Sequence, residues 1–177
     1  MALEHALLVA LREQPASGLD LAKRFGRSIG FFWSATHQQI YKVLGRMEGD
    51  GWVAATEVAQ SGKPDKKVYA VTPAGRSALA AWLAEPTPTH ALRSDLAVKM
   101  RGASFGDRGA VLDVVRANLA DHFVRLDHYR QLMRRDYPAG PGALSGLELD
   151  QFLVLRGGIL TEETWVAWLT EYLEAHS

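Results

Sequence analysis

Apolar and polar residues alternate with the period of α-helices through the first part of the chain. Pro15 ends a first predicted helix, because proline has no backbone N–H to continue the hydrogen-bond ladder. Ser17-Gly18 then precedes a short second helix over 20–25, which ends at Gly26. The first helix is predicted by apolar residues at helical spacing: Leu3, Ala6, Leu7, Ala10 and Leu11.

A third helix is predicted to begin at Thr36. Thr36 and Gln39 have the spacing of a capping box, in which the threonine hydroxyl accepts from the backbone and the glutamine side chain reaches back. Gly49 and Gly51 mark the end of the helix. The predicted buried stripe is Ile40, Val43, Leu44 and Met47, and the opposite face carries Gln38, Gln39, Lys42 and Arg46, with His37 and Tyr41 at its flanks.

Two short strands are predicted next, over 52–60 and 67–71, because both segments are rich in β-branched and aromatic residues. Residues 61–66 between them have the composition of a turn. Thr72-Pro73 begins another helix, with the threonine as cap and proline at the first helical position. Three helices, a two-stranded hairpin and a further helix are the sequence outline of a winged helix-turn-helix.

The second half of the chain is predicted to be entirely helical. The proline-rich stretch 85–89 is the best candidate linker, and it places one domain at 1–88 and another at 89–177. A short helix over 95–100 and a long one over 107–137 precede a loop at 138–146 and a final helix. We expect Gly157-Gly158 to interrupt that last helix with a bend or a close helix contact, since each glycine weakens a helix by roughly 1 kcal/mol. The predicted fold class is thus mainly α with a small two-stranded β wing.

Composition and charge exclude several classes of protein. The chain has no cysteine, which excludes disulfides, thiolate metal sites and cysteine nucleophiles. It shows neither a signal-peptide pattern nor an apolar run near the ~20 residues of a membrane span, so we expect a cytoplasmic protein with no membrane partner. The net charge is zero, but residues 20–76 carry nine basic against five acidic residues, and those beyond 90 carry ten against twelve. This asymmetry fits a protein whose N-terminal part faces nucleic acid.

The polar face of the third helix is the main candidate for a functional surface. Glutamine can pair with adenine, and lysine or arginine with guanine or phosphate, so His37, Gln38, Gln39 and Lys42 are candidates for base contacts beside Thr36. Tyr41 and Arg46 are expected to touch phosphate. Any surface helix has polar residues on its outer side, however, so this face alone does not indicate DNA binding. The two strands that follow the helix favour the DNA-binding interpretation. Three lysines, Lys63, Lys66 and Lys67, are expected near the tip of the hairpin. They could contact DNA phosphates, or they could simply belong to a solvated turn.

Large apolar residues recur on the first helix and on the C-terminal helices. They fit a dimer interface, or an aromatic effector pocket, and the two are compatible if a pocket lies between subunits. The run Phe31-Phe32-Trp33 fits the core of the helix-turn-helix better than base stacking. The candidate interface or pocket residues are Leu3, Leu7, Phe123, Trp165, Trp168, Leu169 and Tyr172.

Catalytic and metal chemistry find little support in the sequence. The six histidines are scattered, and His122 and His128 point to different sides of their helix, so no metal site is expected. Glu162-Glu163 is interpreted as a solvated helix start, and no serine has a nucleophile-elbow context. We therefore expect no enzyme and no cofactor.

Residues spread over nearly the whole chain resemble the PadR-type transcriptional regulators. The N-terminal resemblance is the more specific, and the C-terminal one lies in Leu92–Met100 and Leu153–Leu173, including Trp168-Leu169. Leu19 departs from the pattern, since the family often has an aromatic residue after the glycine that opens the second helix. The N-terminal match consists of Trp33, Ile40-Tyr41, Leu44, Met47, Gly51, Val68-Tyr69, Val71-Thr72, Gly75, Leu79 and Trp82-Leu83.

The resemblance implies a homodimeric repressor with a helical C-terminal dimerisation domain, released from DNA by a small, often aromatic or phenolic, effector. A two-fold dimer predicts a near-palindromic operator in double-stranded DNA. The main alternative is a winged-helix module that uses the same face to bind another protein without binding DNA. A ligand carrier or enzyme built on the helical region is a more distant alternative.

Overall fold

The computed structural model describes residues 2–25, 35–60, 63–89 and 93–177, and the predicted Phe31-Phe32-Trp33 core lies outside these ranges. The chain forms two compact units, Met1–Pro88 and Thr89–Ser177. The first contains α1 (Ala2–Glu13), α2 (Gly18–Phe25), α3 (His37–Gly49), β1 (Val53–Gln60), β2 (Lys63–Val71) and α4 (Pro73–Leu83). The second contains α5 (Asp95–Gly102), α6 (Arg108–Asp136) and α7 (Gly146–Glu174), with short 3-10 turns at Ala103–Phe105 and Pro141–Ala143. The predicted mainly α fold with a two-stranded wing is confirmed.

The core of the first unit includes most of the predicted apolar stripes of α1 and α3, together with Leu8 and Leu21, which those stripes did not contain. Leu7 and Leu8 of α1, Leu21 of α2, and Ile40 and Leu44 of α3 have no exposed surface. Burying one such side chain stabilises a fold by about 1.5–3 kcal/mol. The three helices are therefore held to one another by their inner faces, and the outer face of α3 stays at the surface.

The two strands form an antiparallel hairpin, the wing, with register from Val53↔Val71 to Gln60↔Lys63. The second strand begins at Lys63, four residues before the predicted start, so the predicted turn at 61–66 is too long. Pro64 and Asp65 disfavour strands, but in a two-stranded sheet both strands are edges, where proline is tolerated. Backbone bonds between Ala16 and Tyr69, at 2.9 and 3.2 Å, tie the base of the wing to the α1–α2 connection.

Helix starts follow the predicted caps. The Thr36 Oγ1 accepts from the Gln39 N–H at 3.2 Å, and the Gln39 Oε1 accepts from the Thr36 N–H at 2.8 Å, which completes the capping box. At α4 the Thr72 hydroxyl accepts from the Gly75 N–H at 3.1 Å and donates to the Gly51 carbonyl at 2.6 Å. The second of these bonds also holds the end of α3 against the start of α4.

In the second unit, α6 and α7 pack along their length. α7 buries Phe152, Leu155, Ile159 and Leu169. The predicted interruption at Gly157-Gly158 is wrong, because α7 continues through the pair from Gly146 to Glu174. No atom lies within 4 Å of a Cβ built on Gly157, so this glycine does not mark a close contact. Burial of the α7 stripe outweighs the roughly 1 kcal/mol lost at each glycine.

Candidate nucleic-acid interface

The N-terminal turns of α3 present a polar surface. His37, Gln38, Gln39 and Lys42 are exposed, whereas Ile40 between them is fully buried. The structure thus brings together the residues predicted to contact bases, and the capping box fixes where their helix begins. The box also uses the Thr36 hydroxyl and the Gln39 amide oxygen, so Gln38 and Lys42 have the freer side chains.

Tyr41 lies over the start of α2. A Cβ built on Gly18 would lie 2.5 Å from Tyr41 Cε1, so the Tyr41 ring can pack against this position only because glycine has no side chain. The ring remains 50% exposed, because it covers the glycine with one side only. Gly18 therefore leaves room for the Tyr41 ring at the start of α2.

Arg46 is held by a carboxylate from α1. Its Nη2 donates to Glu4 Oε2 at 2.9 Å, and the Glu4 side chain is only 11% exposed. Burial acts to raise the pKa of Glu4, but a backbone hydrogen bond and nearby positive charges, Arg46 among them, outweigh it and leave the pKa below its ordinary value. Arg46 therefore supports the fold as the partner of Glu4, a role that its sequence position did not reveal.

The wing lysines also have carboxylate partners. Lys66 Nζ lies 2.6 Å from Asp20 Oδ2, and Lys67 Nζ lies 3.6 Å from Glu48 Oε2. A hydrogen bond from Lys66, followed by one from the Ser17 hydroxyl, holds the pKa of Asp20 below its ordinary value, although burial opposes the shift. Both lysines lie along β2 rather than at the hairpin tip, because the strand is longer than predicted.

The two other lysines predicted to bind DNA lie on β2 and on α3. Lys63 pairs with Gln60 through the register of the hairpin, next to the residues at its tip. Lys42 is exposed, and in the described part of the chain no carboxylate lies within ion-pair distance of its ammonium group. The Lys42 ammonium group on α3 is thus accessible for contact with a phosphate or a base edge.

The aromatic candidates of the second unit form a shallow groove on α7. The groove has a volume of about 260 Å³ and is lined by Thr161, Thr164, Trp165 and Trp168. Trp165 stacks on His122 of α6 with ring centroids 5.0 Å apart. The groove therefore offers an apolar wall with two threonines at its edge.

The remaining interface candidates have different environments. Leu7 and Leu169 have no exposed surface, so as partner contacts these two predictions fail: each side chain fills the core of its own unit. Leu3 is partly buried against the first core, and the Tyr172 hydroxyl donates to the Met100 carbonyl at 2.8 Å. Phe123 remains 50% exposed on α6 and is free to meet a partner.

A buried ionic cluster joins α6 to α7, and sequence reasoning missed it. Glu162 lies mid-helix and is 8% exposed, so its interpretation as a solvated helix start is wrong. Its carboxylate lies 2.5 Å from His122 Nδ1 and accepts from Arg125 Nε at 3.2 Å. The available signal was its place in the apolar stripe of α7, one turn after Ile159 and two before Leu169.

Metal-ligand clusters and membrane-spanning helices are absent from the part of the chain that the structure describes. Over residues 2–25, 35–60, 63–89 and 93–177, no three His, Asp or Glu side chains converge as metal ligands would. Within the same ranges no helix has the length and apolar character needed to cross a bilayer.

Comparison with known proteins identifies the family of this chain. The model of the PadR-like transcriptional regulator family matches residues 7–81, and that of the virulence activator alpha C-terminal domain matches residues 92–177. A probable transcriptional regulator of Mycobacterium tuberculosis is 52% identical, over 99% of this chain and 97% of that protein. This chain belongs to the PadR-like family. It is accordingly a transcriptional regulator.

Solved structures of PadR-like regulators cover both units. PadR of Bacillus subtilis in complex with operator DNA matches with a TM-score of 0.85 and 26% identity, over 100% of each chain. The Vibrio cholerae virulence activator AphA matches with a TM-score of 0.80 and 30% identity, over 98% of this chain and 96% of that one. PadR with p-coumaric acid matches with a TM-score of 0.77 and 26% identity, over 99% and 98%.

Proposed function

We propose that this PadR-like regulator binds a near-palindromic operator as a homodimer, with α3 in the major groove and the wing against flanking phosphates. The observation that carries the proposal is the outer face of α3, where Gln38 and Lys42 are exposed above the buried Ile40. A helix locked by its underside and capped at its N-terminus can present its first turns to base edges without losing further conformational entropy.

The DNA complex of B. subtilis PadR supports this proposal, since the match extends over the whole of both chains. The alternative of a winged-helix module that binds only protein has no comparable support, because the relatives are transcriptional regulators. Regulation of this kind requires binding equilibria and no catalytic step, so we propose no enzymatic activity.

A homodimer is supported by the apolar residues that the second unit leaves exposed. Trp168, Leu153, Val154 and Leu160 lie on the part of α7 that does not pack on α6, and each is at least 36% exposed. A second copy on this surface would remove that area from water. Two-fold symmetry would then place the two α3 helices one helical turn of DNA apart, roughly 34 Å, which is why we propose a near-palindrome.

A small aromatic or phenolic acid is the effector class that we propose. The groove beside Trp165 and Trp168 offers flat apolar surfaces, and B. subtilis PadR has been crystallised with p-coumaric acid. Such an effector would release DNA by favouring a dimer arrangement whose two α3 helices do not match successive major grooves. It can shift the population only as far as its affinities for the DNA-binding and the released arrangement differ. Repression is proposed because B. subtilis PadR is a negative transcriptional regulator.

Substitution of Lys42 tests the DNA-binding surface. We expect Lys42→Ala to weaken binding to a selected operator by roughly 5- to 150-fold, which corresponds to the 1–3 kcal/mol of a base contact. If Lys42 contacts phosphate instead, the slope of log affinity against log salt should fall by about 0.9. The measurement is a fluorescence-anisotropy titration of labelled duplex at several salt concentrations.

Lys99→Ala is the matched control, because Lys99 is an exposed lysine of α5 in the second unit. It should leave operator affinity unchanged. Equal losses in the two variants, or no binding of duplex DNA by the unaltered protein at any salt concentration, would contradict the proposed surface.

A further inference from the structure

Two carboxylates of the first unit form ion pairs with two lysines of the wing. The Lys66–Asp20 pair joins β2 to α2, and the Lys67–Glu48 pair joins β2 to α3. All four side chains are between 34% and 50% exposed, so each pair lies where an approaching phosphate could reach it. The wing is therefore less positive toward DNA than its lysine count indicates.

We propose that Asp20 and Glu48 restrain DNA affinity by holding Lys66 and Lys67 in place of backbone phosphates. The inference rests on the DNA-binding function proposed above. Carboxylate and phosphate are both anions that compete for the same ammonium donors. A phosphate that binds either lysine must share the ammonium group with the carboxylate or displace the carboxylate, and the carboxylate repels the phosphate in both cases.

The restraint acts on the sequence-independent part of binding. Contacts between lysine and phosphate supply essentially all of the affinity for random DNA, whereas sequence is read by base contacts. Asp20 and Glu48 lie beside the wing lysines, while Gln38 and Lys42 of α3 have no such partner among the described residues. The two carboxylates thus limit how strongly the protein is held on DNA that is not its operator.

Asp20→Asn removes the charge with the least change of shape. The amide oxygen of asparagine can still accept the Ser17 hydroxyl bond, which measures 2.9 Å in the present structure. Since an exposed ion pair contributes about 0.5–1 kcal/mol, we expect affinity for a random-sequence duplex at low salt to rise roughly two- to fivefold. Glu48→Gln should act in the same direction, with a smaller rise because its pair is 3.6 Å long.

Two further variants make the titration specific. Asp113→Asn changes net charge by the same amount and breaks an exposed pair with Arg116 in the second unit, so it should leave DNA affinity unaltered. Asp20→Asn in a Lys66→Gln background should give no rise, because the lysine that it releases is absent. Circular dichroism and thermal unfolding of each variant establish that it is folded.

The outcomes separate this inference from the proposed function. A rise that requires Lys66 and is absent in Asp113→Asn supports the restraint. Unchanged binding by folded Asp20→Asn and Glu48→Gln would overturn it. Weaker binding would also overturn it and would indicate that the carboxylates position the wing instead. An equal rise in Asp113→Asn would also overturn it, as an effect of net charge alone. If no variant and not even the unaltered protein bound duplex DNA, the proposed function would fail as well.

Discussion

Gly75 lies where the wing meets α4, and its lack of a side chain is a packing requirement. A Cβ built there would lie 2.1 Å from the Trp52 carbonyl oxygen, which is backbone and cannot move aside cheaply. That carbonyl also accepts from the Thr72 N–H at 3.0 Å, so a displacement would disturb the start of α4. Gly45 on the exposed side of α3 is different, because nothing lies within 4 Å of its Cβ position.

The two glycines should respond oppositely to alanine. We expect Gly75→Ala to lower the free energy of unfolding by about 1–3 kcal/mol, as overpacking does. Gly45→Ala should raise it by up to about 1 kcal/mol, because alanine loses less conformational entropy in a helix. Urea unfolding followed by circular dichroism measures both, and a stable Gly75→Ala variant would show that the α4–wing contact is not tight.

At the scale of elements, the α6–α7 pair combines an apolar seam with one ionic cluster. His122 and Arg125 of α6 meet Glu162 of α7, and Trp165 covers His122. Trp165 and Glu162 lie one turn apart on α7, so the cluster and the groove share a wall. Buried ion pairs cost desolvation energy, and loss of one partner leaves the others uncompensated.

Truncation of Glu162 should therefore matter more than truncation of its neighbour. We expect Glu162→Ala to lower the free energy of unfolding by about 1–3 kcal/mol, because Arg125 loses its acceptor and His122 loses its hydrogen-bond partner. Glu163→Ala removes more exposed pairs with Arg130 and Arg156 and should cost less than about 1 kcal/mol. Chemical denaturation of the two variants decides this, and equal losses would mean that Glu162 is effectively solvated.

The elements differ in how far the sequence predicted them. The predicted capping box of Thr36 and Gln39 is confirmed, and α3 itself begins one residue after Thr36, because a capping box depends only on residues three apart. The start of β2 was wrong, because strand length depends on cross-strand pairing with Gln60, which overrides the turn composition of Pro64-Asp65. The continuity of α7 through Gly157-Gly158 depends likewise on packing against α6.

At the scale of the whole molecule, the proposed function requires two copies. Each unit is compact by itself, and an operator of two half-sites needs a two-fold assembly. The exposed apolar side of α7, with Trp168 at its C-terminal part, is the surface that we propose for this assembly. Tryptophan is enriched among the residues that dominate interface energies.

Self-association tests that surface. Analytical ultracentrifugation should show a dimer for the unaltered protein, and Trp168→Glu should weaken association by about thirtyfold or more, as loss of about 2 kcal/mol at an interface residue does. Val98→Glu places the same charge on an exposed apolar position of α5 and should leave the dimer intact. A monomeric unaltered protein, or equal effects of both substitutions, would argue for another interface.

The sequence by itself determined the features that depend on neighbours along the chain: the caps at Thr36 and Thr72, the apolar stripes of the helices, and the polar outer face of α3. These depend on contacts within about one helical turn, which spacing encodes directly. Only the tertiary structure decided which charges meet. Glu4 and Arg46 are 42 residues apart, and His122 and Glu162 are 40 apart, so their pairing depends on how whole helices pack. The same holds for Asp20 and Lys66, whose contact exists only because the wing folds back beside α2.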